Sequence, residues 1–218
     1  MKLFIDTANK EHIKELASYK IISGVTTNPS LMAKEGISGI ENCHNHYVEI
    51  CNLVDGPVSA EVISTDCEGM LQEAYKLAEL HPNIVIKIPM IKEGVKAIYK
   101  LTEKNIKTNC TLIFSANQAM IAAKAGATYV SPFIGRLYDI NEDGLKLIES
   151  IRTIFDNYNF KTNILAASIR SLEHVKQCAE LGSDYATIPY KLLDQLFDHP
   201  LTTKGLKLFL EDHARLNQ

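Results

Sequence analysis

The chain has 218 residues, of which 46% are hydrophobic and 22% are charged, and its formal net charge is -3. A length near roughly 200 to 250 residues is typical of one large α/β domain. The composition is that of an ordinary globular protein and excludes a disordered or membrane class. A slightly negative charge without any long basic run argues against nucleic acid as a partner and favours small molecules.

Targeting and redox features are simple. The amino terminus lacks an apolar core of signal-peptide length, and no later stretch approaches the roughly 20 apolar residues of a membrane span. The cysteines are odd in number and have no Cys-x-x-Cys spacing, which is typical of reduced thiols in a cytosol. They are Cys43, Cys51, Cys67, Cys110 and Cys178. We therefore expect a cytoplasmic protein without disulfides and without membrane contact.

Short β-rich segments alternate with helical patterns along the whole chain, and eight such pairs are present. The predicted strands are residues 2–6, 24–28, 58–62, 84–89, 108–113, 129–134, 163–168 and 185–189. Eight pairs predict an α/β protein that folds as a single (β/α)8 TIM barrel over residues 1–218. A doubly wound sheet is disfavoured, because it needs fewer strands and usually a Gly-rich turn, which is absent after Asp6.

The segments between the strands carry helix signals. Ser115 is placed to cap a helix that runs to Ala125, and Ser171 is placed to cap another that ends before Gly182. Residues 66–80 show apolar positions at helical spacing, which predicts a face that packs on the barrel.

Two helices are predicted after the eighth strand. A short helix covers residues 190–197 and ends at an Asp-His-Pro break. A final helix over residues 202–216 is additional to the eight barrel helices, and its apolar positions could pack on the barrel itself or on a neighbouring subunit.

Cys43, His44 and His46 lie close together in the sequence and raise the question of a metal site. Helix neighbours at positions i and i+2 do not share a face, and the surrounding stretch is polar. We therefore predict a solvated helix surface here and no metal.

Lys87 lies within Ile-Val-Ile-Lys-Ile-Pro (84–89), a run that otherwise predicts a fully buried strand. Burial without a partner disfavours a lysine ammonium and makes the neutral amine accessible, and a neutral amine attacks carbonyl groups. A Schiff-base nucleophile is one interpretation. The alternative is a structural lysine that snorkels to water or closes an ion pair in the core.

Polar residues recur at the late positions of six predicted strands. In a TIM barrel alternate residues point inward, and active sites form at the carboxyl ends of the strands. A common cavity lined by amides and hydroxyls would bind a polyhydroxylated substrate, and two carboxylates beside a nucleophilic amine would supply the proton transfers of aldolase chemistry. These residues are Asp6, Thr26, Asn28, Glu61, Lys87, Asn109, Thr111, Ser168 and Arg170.

Two arginines follow neighbouring strands near the predicted mouth of the barrel. Arg136 follows the sixth strand, and Arg170 follows the seventh strand beside Ser168. Arginine binds phosphate oxygens through paired hydrogen bonds, and the late loops of such barrels often form a phosphate site. We therefore predict that the substrate is phosphorylated.

Six motifs, in this order and at these spacings, resemble those of the transaldolase family, in its short single-barrel branch that also contains fructose-6-phosphate aldolases. The motifs are Phe-Ile-Asp-Thr-Ala (4–8), Gly-Val-Thr-Thr-Asn-Pro-Ser (24–30), Ile-Lys-Ile-Pro (86–89), Asn-Cys-Thr-Leu-Ile-Phe-Ser (109–115), Ser-Pro-Phe-Ile-Gly-Arg (131–136) and Ala-Ala-Ser-Ile-Arg (166–170). The resemblance covers essentially the whole chain.

The resemblance implies roles for individual residues. Lys87 would form the Schiff base with the ketose donor, and Asp6 would be the general acid/base at the cleaved bond. Glu61 and Thr111 would bind the water used in imine dehydration and hydrolysis. The positions implied to contact the substrate are Thr26, Asn28, Asn109 and Ser131, and those implied to bind its phosphate are Arg136, Ser168 and Arg170. No metal or other cofactor is implied, and the branch forms decamers through an extended C-terminal helix.

The leading hypothesis is a transaldolase of the pentose phosphate pathway. It would move a dihydroxyacetone unit from sedoheptulose 7-phosphate or fructose 6-phosphate to glyceraldehyde 3-phosphate or erythrose 4-phosphate. Phe133 and Glu61 favour transfer, because the resemblance places Tyr and Gln at these positions in fructose-6-phosphate aldolases. Such an aldolase, releasing free dihydroxyacetone, is the nearest alternative, and a non-catalytic sugar-phosphate-binding barrel is a remote one.

Overall fold

The computed structural model describes residues 1–216. Eight parallel strands form a closed barrel in which each strand pairs with the next and the eighth pairs with the first. They are β1 (Lys2–Asp6), β2 (Ile22–Thr26), β3 (Val58–Glu61), β4 (Ile84–Pro89), β5 (Thr108–Ile113), β6 (Tyr129–Pro132), β7 (Asn163–Ala166) and β8 (Tyr185–Ile188). The predicted α/β TIM barrel is confirmed.

Within residues 1–216, eleven helices follow or connect the strands. They are α1 (Lys10–Ser18), α2 (Pro29–Lys34), α3 (Ile40–Cys51), α4 (Cys67–Leu80), α5 (Lys92–Glu103), α6 (Ala116–Lys124), α7 (Ile134–Tyr138), α8 (Gly144–Tyr158), α9 (Leu172–Glu180), α10 (Tyr190–Gln195) and α11 (Pro200–Leu216). This is three more than one helix per strand, because the chain forms two helices after each of β2, β6 and β8. Nowhere in the described chain does a helix combine the length and apolar character needed to cross a bilayer.

Two predicted helix starts are confirmed in their local chemistry. The Ser115 hydroxyl accepts a hydrogen bond from the Gln118 amide, and the Gln118 side chain accepts one from the Ser115 amide, which completes a capping box. The Ser171 hydroxyl accepts from the His174 amide at 3.1 Å and caps α9 in the same way.

The barrel interior has two layers with opposite character. Its lower layer, the barrel floor, is apolar and consists of Phe4, Val85, Tyr129, Leu165 and Tyr185. Two residues later along the same strands lie Asp6, Lys87, Ser131 and Thr187, and Ala167 follows directly after the end of β7. Because side chains alternate along a strand, these residues form the next layer toward the carboxyl ends. We call this second layer, together with Thr26, Ser59 and Asn109, the polar layer.

Several predicted strands end earlier than expected. Asn28 is not in β2 but caps α2, where its side chain accepts a hydrogen bond from the Leu31 amide at 2.9 Å. The next residue is Pro29, which has no amide hydrogen and so cannot extend the strand. Phe133 and Ser168 also lie just beyond β6 and β7, and Ser168 has a left-handed backbone with a φ of 58°. Arg136, expected in a loop, is in the short helix α7.

Gly24 in β2 faces the ring of Phe4 in the barrel floor. A Cβ atom at this position would lie 2.6 Å from Phe4 Cζ and 2.6 Å from the carbonyl oxygen of Pro57. We therefore expect Gly24→Ala to lower the free energy of unfolding by about 2 kcal/mol or more, because the closed barrel cannot accommodate the methyl group.

Urea denaturation measures this change, and a single transition is expected if residues 1–218 form one domain. Gly205→Ala in α11 is the matched control, because a Cβ there meets no atom within 4 Å. That substitution should leave stability unchanged or raise it by up to about 1 kcal/mol. Equal effects of the two substitutions would contradict the described packing of the floor.

Candidate active site

Lys87 lies at the centre of three adjacent strands. Strand register places Glu61 of β3 on one side and Asn109 of β5 on the other. The lysine is only 6% exposed, and its Nζ lies 3.0 Å from Glu61 Oε2. Nζ also donates to the carbonyl oxygen of Thr27 at 3.3 Å. The buried lysine is therefore in an ion pair, as the structural alternative expected, but the pair lies in the polar layer of the barrel interior.

Asp6 is linked to two hydroxyl groups. Thr26 Oγ1 donates to Asp6 Oδ1 at 2.7 Å, and it lies 2.5 Å from Thr187 Oγ1. A hydroxyl has one proton, so Thr187 donates to Thr26 whenever Thr26 donates to Asp6. Burial raises the pKa of the Asp6 carboxyl, and this effect exceeds the opposing effects of the Lys87 charge and the Thr26 hydrogen bond.

A second chain of hydrogen bonds fixes the amide of Asn109. Ser131 Oγ donates to Asn109 Oδ1 at 2.8 Å, and Asn109 Nδ2 donates to Ser59 Oγ at 3.2 Å. Sequence analysis identified Asn109 and Ser131 but missed Ser59 and Thr187. The signal was present, since Ser59 precedes Glu61 by two residues and Thr187 follows Tyr185 by two.

Thr111, like Thr108 at the start of β5, has a buried hydroxyl that no group of the described chain hydrogen-bonds. Thr111 is 1% exposed. The next residue, Leu112, has a φ of 60°, and the pairing of β5 with β6 shifts between Cys110 and Ile113. A buried hydroxyl without a partner is costly, so Thr111 has the capacity to hydrogen-bond a bound molecule.

A cavity of about 170 Å³ opens at the carboxyl ends of the strands. It brings together eight of the twelve predicted site residues, namely Asp6, Thr26, Asn28, Lys87, Ser131, Phe133, Arg136 and Ser168, and adds Ala167 and Thr187. Of the other four, Glu61 contacts Lys87, Asn109 contacts Ser131, Thr111 is buried in β5, and Arg170 lies apart.

Phe133 forms an aromatic wall of this cavity. Its ring packs edge-on against Phe114, with ring centroids 5.9 Å apart, and the Arg136 guanidinium lies 5.1 Å from the centroid of the Phe133 ring. The cation–π contact fixes Arg136 at the cavity edge. Arg170 instead directs both terminal nitrogens of its guanidinium to the carboxylate of Asp139, with Nη2 and Oδ2 2.7 Å apart.

A larger cavity of about 410 Å³ lies between α2, α3 and α4, and Glu61 and Glu73 contribute to its wall. Its remaining lining is mainly apolar, and it includes neither Lys87 nor Asp6. Glu73 accepts hydrogen bonds from the amides of Ile63 and Ser64 at 2.6 and 3.1 Å and so anchors the loop that follows Glu61. Lys87 and Asp6 thus line the smaller cavity, and Glu61 contacts Lys87 from the wall of the larger one.

The prediction of a solvated helix surface at Cys43, His44 and His46 is wrong for His46. This side chain is buried, and its Nε2 lies 2.7 Å from the carbonyl oxygen of Ala8, because α3 packs against the segment after β1. The residues that the structure describes include no group of three His, Cys, Asp or Glu side chains placed to bind a metal.

The hydroxyl chain to Asp6 makes a testable prediction about pH dependence. Thr26→Val removes the hydrogen bond that stabilises ionised Asp6, so the pKa of this carboxyl should rise further. A hydrogen bond to a charged group contributes about 1.5 kcal/mol, so the acid limb of kcat/KM should move to higher pH by about one unit. Thr187→Val is the matched control and should move it less, because Thr187 contacts Asp6 only through Thr26. If the acid limb of Thr26→Val stays at the pH of the unmodified protein, the group that titrates in kcat/KM is not Asp6.

The chain is similar over its length to proteins of one family. The family model described as Transaldolase/Fructose-6-phosphate aldolase matches residues 3–218. A "Probable transaldolase" from Porphyromonas gingivalis is 58% identical over 218 residues, covering 100% of this chain and 99% of that protein. Proteins of the same name from Phocaeicola vulgatus and Cytophaga hutchinsonii are 57% and 56% identical, each over 100% of both chains.

Solved structures of low identity share the fold. A thiamine phosphate pyrophosphorylase from Pyrococcus furiosus superposes with a TM-score of 0.61 at 14% identity, covering 86% of this chain and 85% of that one. A dihydrodipicolinate synthase from Rhodopseudomonas palustris gives a TM-score of 0.60 at 13% identity, covering 85% of this chain and 69% of that one. These similarities concern the barrel alone. The full-length family match and the close relatives establish that the chain belongs to the transaldolase/fructose-6-phosphate aldolase family.

Proposed function

We propose that this protein is a transaldolase that transfers a dihydroxyacetone unit between sugar phosphates through a Schiff base on Lys87. The observation that carries the proposal is the buried Lys87 amine, 3.0 Å from the Glu61 carboxylate, in the same polar layer as Asp6. A nucleophilic amine with two carboxylates is the set of groups that Schiff-base aldol chemistry requires.

The reaction begins when the neutral Lys87 amine attacks the ketone carbon of the donor. Glu61 lies at hydrogen-bonding distance and accepts the proton that the ammonium must lose. Glu61 then returns this proton to the carbinolamine hydroxyl, which leaves as water and gives the protonated Schiff base. Thr111, whose hydroxyl has no hydrogen-bond partner within residues 1–216, hydrogen-bonds the water of this step together with Glu61.

Asp6 then acts as the general base. It removes the proton from the C4 hydroxyl, the C3–C4 bond breaks, and its electron pair moves into the Schiff base to give an enamine on Lys87. The departing fragment is an aldose phosphate. Because burial raises the Asp6 pKa, its carboxylate is a stronger base than an exposed one. In the second half, the enamine attacks an acceptor aldehyde, Asp6 returns the proton, and hydrolysis releases Lys87.

The remaining cavity residues fit a hydroxylated, phosphorylated substrate. Asn28 and Ser131 offer amide and hydroxyl groups to sugar hydroxyls, Asn109 orients Ser131 from behind, and Arg136 with Ser168 offers donors to the phosphate at the cavity edge. Arg170 is close to this edge and would complete the phosphate site. The substrates we propose are the ketose and aldose phosphates of the pentose phosphate pathway.

Covalent trapping tests the role of Lys87. Borohydride reduction during incubation with fructose 6-phosphate should add the reduced three-carbon fragment to Lys87, which peptide mass spectrometry locates. Lys87→Met should abolish both labelling and transfer to erythrose 4-phosphate. Lys96→Met is the control, because Lys96 is an exposed lysine paired with Glu93 at 2.6 Å, and it should retain both. A label on another lysine of the active enzyme would refute the assignment.

Substitution of Phe133 tests whether the dihydroxyacetone unit is transferred to an acceptor or released as free dihydroxyacetone. Without a hydroxyl at this position, the enamine should persist until an aldehyde arrives, and little dihydroxyacetone should form without an acceptor. Phe133→Tyr should raise acceptor-independent release from fructose 6-phosphate by about tenfold or more, since a placed proton donor contributes at least that much. The measurement is dihydroxyacetone formed with and without erythrose 4-phosphate.

Phe114→Tyr is the matched control for this substitution. It adds the same hydroxyl to the ring that packs against Phe133, at a residue that does not line the cavity. It should leave release unchanged. If the unmodified protein releases dihydroxyacetone as fast as it transfers it, the protein is a fructose-6-phosphate aldolase instead.

We also propose that the protein forms a homo-oligomer through α11. No residue of this helix is buried, and Phe209 and Leu210 are 74% and 63% exposed. Large exposed apolar faces mark interaction surfaces. Phe209→Ser with Leu210→Ser should lower the molar mass measured by light scattering, whereas Lys204→Ser on the same helix should not. A monomeric unmodified protein would exclude the proposal.

A cytoplasmic location is supported by the thiols. All five cysteines are free, and burial raises the pKa of Cys51, Cys110 and Cys178 to about 12 in each case, which keeps them unreactive. Cell fractionation followed by assay of transfer tests this location, and activity confined to an extracytoplasmic fraction would exclude it.

A further inference from the structure

One partner engages two of the three nitrogens of the Arg170 guanidinium. Both of its terminal nitrogens donate to the two carboxylate oxygens of Asp139, with Nη2 and Oδ2 2.7 Å apart. The side chains of Arg170 and Asp139 are 47% and 53% exposed, so solvent reaches the pair. Asp139 follows α7 directly, as the residue that ends this short helix.

Arg170 nevertheless lies at the edge of the cavity that contains Lys87. A Cβ atom on Gly135 would lie 2.8 Å from Arg170 Nε and 2.9 Å from Ser168 Oγ, so both atoms approach the same point above the Gly135 backbone. Ser168 lines the cavity, and the Gly135 amide donates to the Ser168 carbonyl oxygen at 3.1 Å. Arg170 Nε therefore lies beside the proposed phosphate site, while the two terminal nitrogens are held by Asp139.

Arg136 places a second positive charge at this edge. It is adjacent to Gly135 in α7 and three residues before Asp139. The pKa of Asp139 is held below its usual range, first by the hydrogen bond from Arg170 and also by the charges of Arg170 and Arg136. Asp139 is thus an anion that lies near the positive charges of both Arg170 and Arg136.

We propose that Asp139 is a specificity-determining residue that competes with the substrate phosphate for Arg170. This inference rests on the proposed function, in that it takes the end of the cavity beside Ser168 and Arg136 as the phosphate site. A carboxylate and a phosphate both accept paired hydrogen bonds from arginine, so one guanidinium edge cannot serve both fully.

A phosphate can displace Asp139 from Arg170, and a neutral ligand cannot, for a physical reason. A phosphate monoester carries about 1.5 to 2 negative charges at neutral pH, against one for the carboxylate, so it can displace Asp139 from Arg170. The displaced pair is half-exposed and contributes little stability. An uncharged sugar end has no charge with which to displace it. Asp139 therefore lowers the binding affinity of every anion that must displace it from Arg170. Neutral ligands cannot displace Asp139 and so have no access to Arg170.

Inorganic phosphate binding, measured by isothermal titration calorimetry, tests the competition without requiring turnover. Asp139→Asn keeps the side-chain shape and removes the charge, so phosphate should bind about three- to tenfold more tightly, with a steeper salt dependence. Arg170→Gln should bind phosphate more weakly than the unmodified protein. In the Arg170→Gln background, Asp139→Asn should raise phosphate affinity by less than it does when Arg170 is present, because the competition acts through Arg170.

Asp156→Asn is the matched control. Asp156 is also an exposed aspartate paired with an arginine, with Asp156 Oδ1 2.6 Å from Arg152 Nη2 in α8, and it does not line the cavity. This substitution makes the same change in net charge and should leave phosphate affinity unchanged.

Each other outcome overturns the inference. Weaker phosphate binding by Asp139→Asn would mean that Asp139 positions Arg170 instead of competing for it, and unchanged binding would mean that the pair is not coupled to the site. An equal gain in phosphate affinity in Asp156→Asn would mean that the effect comes from net charge alone. Absence of phosphate binding in all variants would remove phosphate from this edge, whereas the trapping of Lys87 would still decide the proposed function independently.

Discussion

Closure of the barrel is the constraint on which the rest of the structure depends. Eight short strands direct alternate side chains into one narrow interior, so each inward residue contacts residues from distant parts of the chain. The lower layer satisfies this constraint with aromatic and aliphatic side chains, for which contact alone is stabilising. The polar layer satisfies it only because nearly every polar atom finds a partner on a neighbouring strand.

Lys87 shows how the same constraint produces reactivity. An isolated ammonium at this depth would be strongly destabilising, and the Glu61 carboxylate compensates for its burial. The partner that makes burial tolerable is also the group that can accept the ammonium proton. A structural ion pair and a nucleophile with its base are therefore two descriptions of one arrangement, which is why the sequence pattern alone left both open.

Much of the fold and part of the site could be predicted from periodicity. Alternation of β-rich and helical segments is a local property, and it predicted eight strands and the barrel correctly. Strand ends were predicted less well, since Asn28 and Phe133 lie beyond their strands at the starts of helices α2 and α7. His46 was expected at the surface because its neighbours in sequence are polar, but a helix packing against the segment after β1 buries it. The pairing of Arg170 with Asp139 joins residues 31 positions apart and has no signal in local pattern.

The hydroxyl chain to Asp6 joins the first strand to be synthesised with the last. Asp6 lies in the first strand and Thr187 in the last, and pairing of β1 with β8 brings them together through Thr26. During synthesis Asp6, the proposed general base, leaves the ribosome near the beginning, and Thr187 leaves near the end. A nascent chain that already contains Asp6, Lys87 and Glu61 still lacks the strand that completes the hydroxyl chain. The proposed site is complete only when the eighth strand closes the barrel, so on this proposal activity should appear at the end of folding.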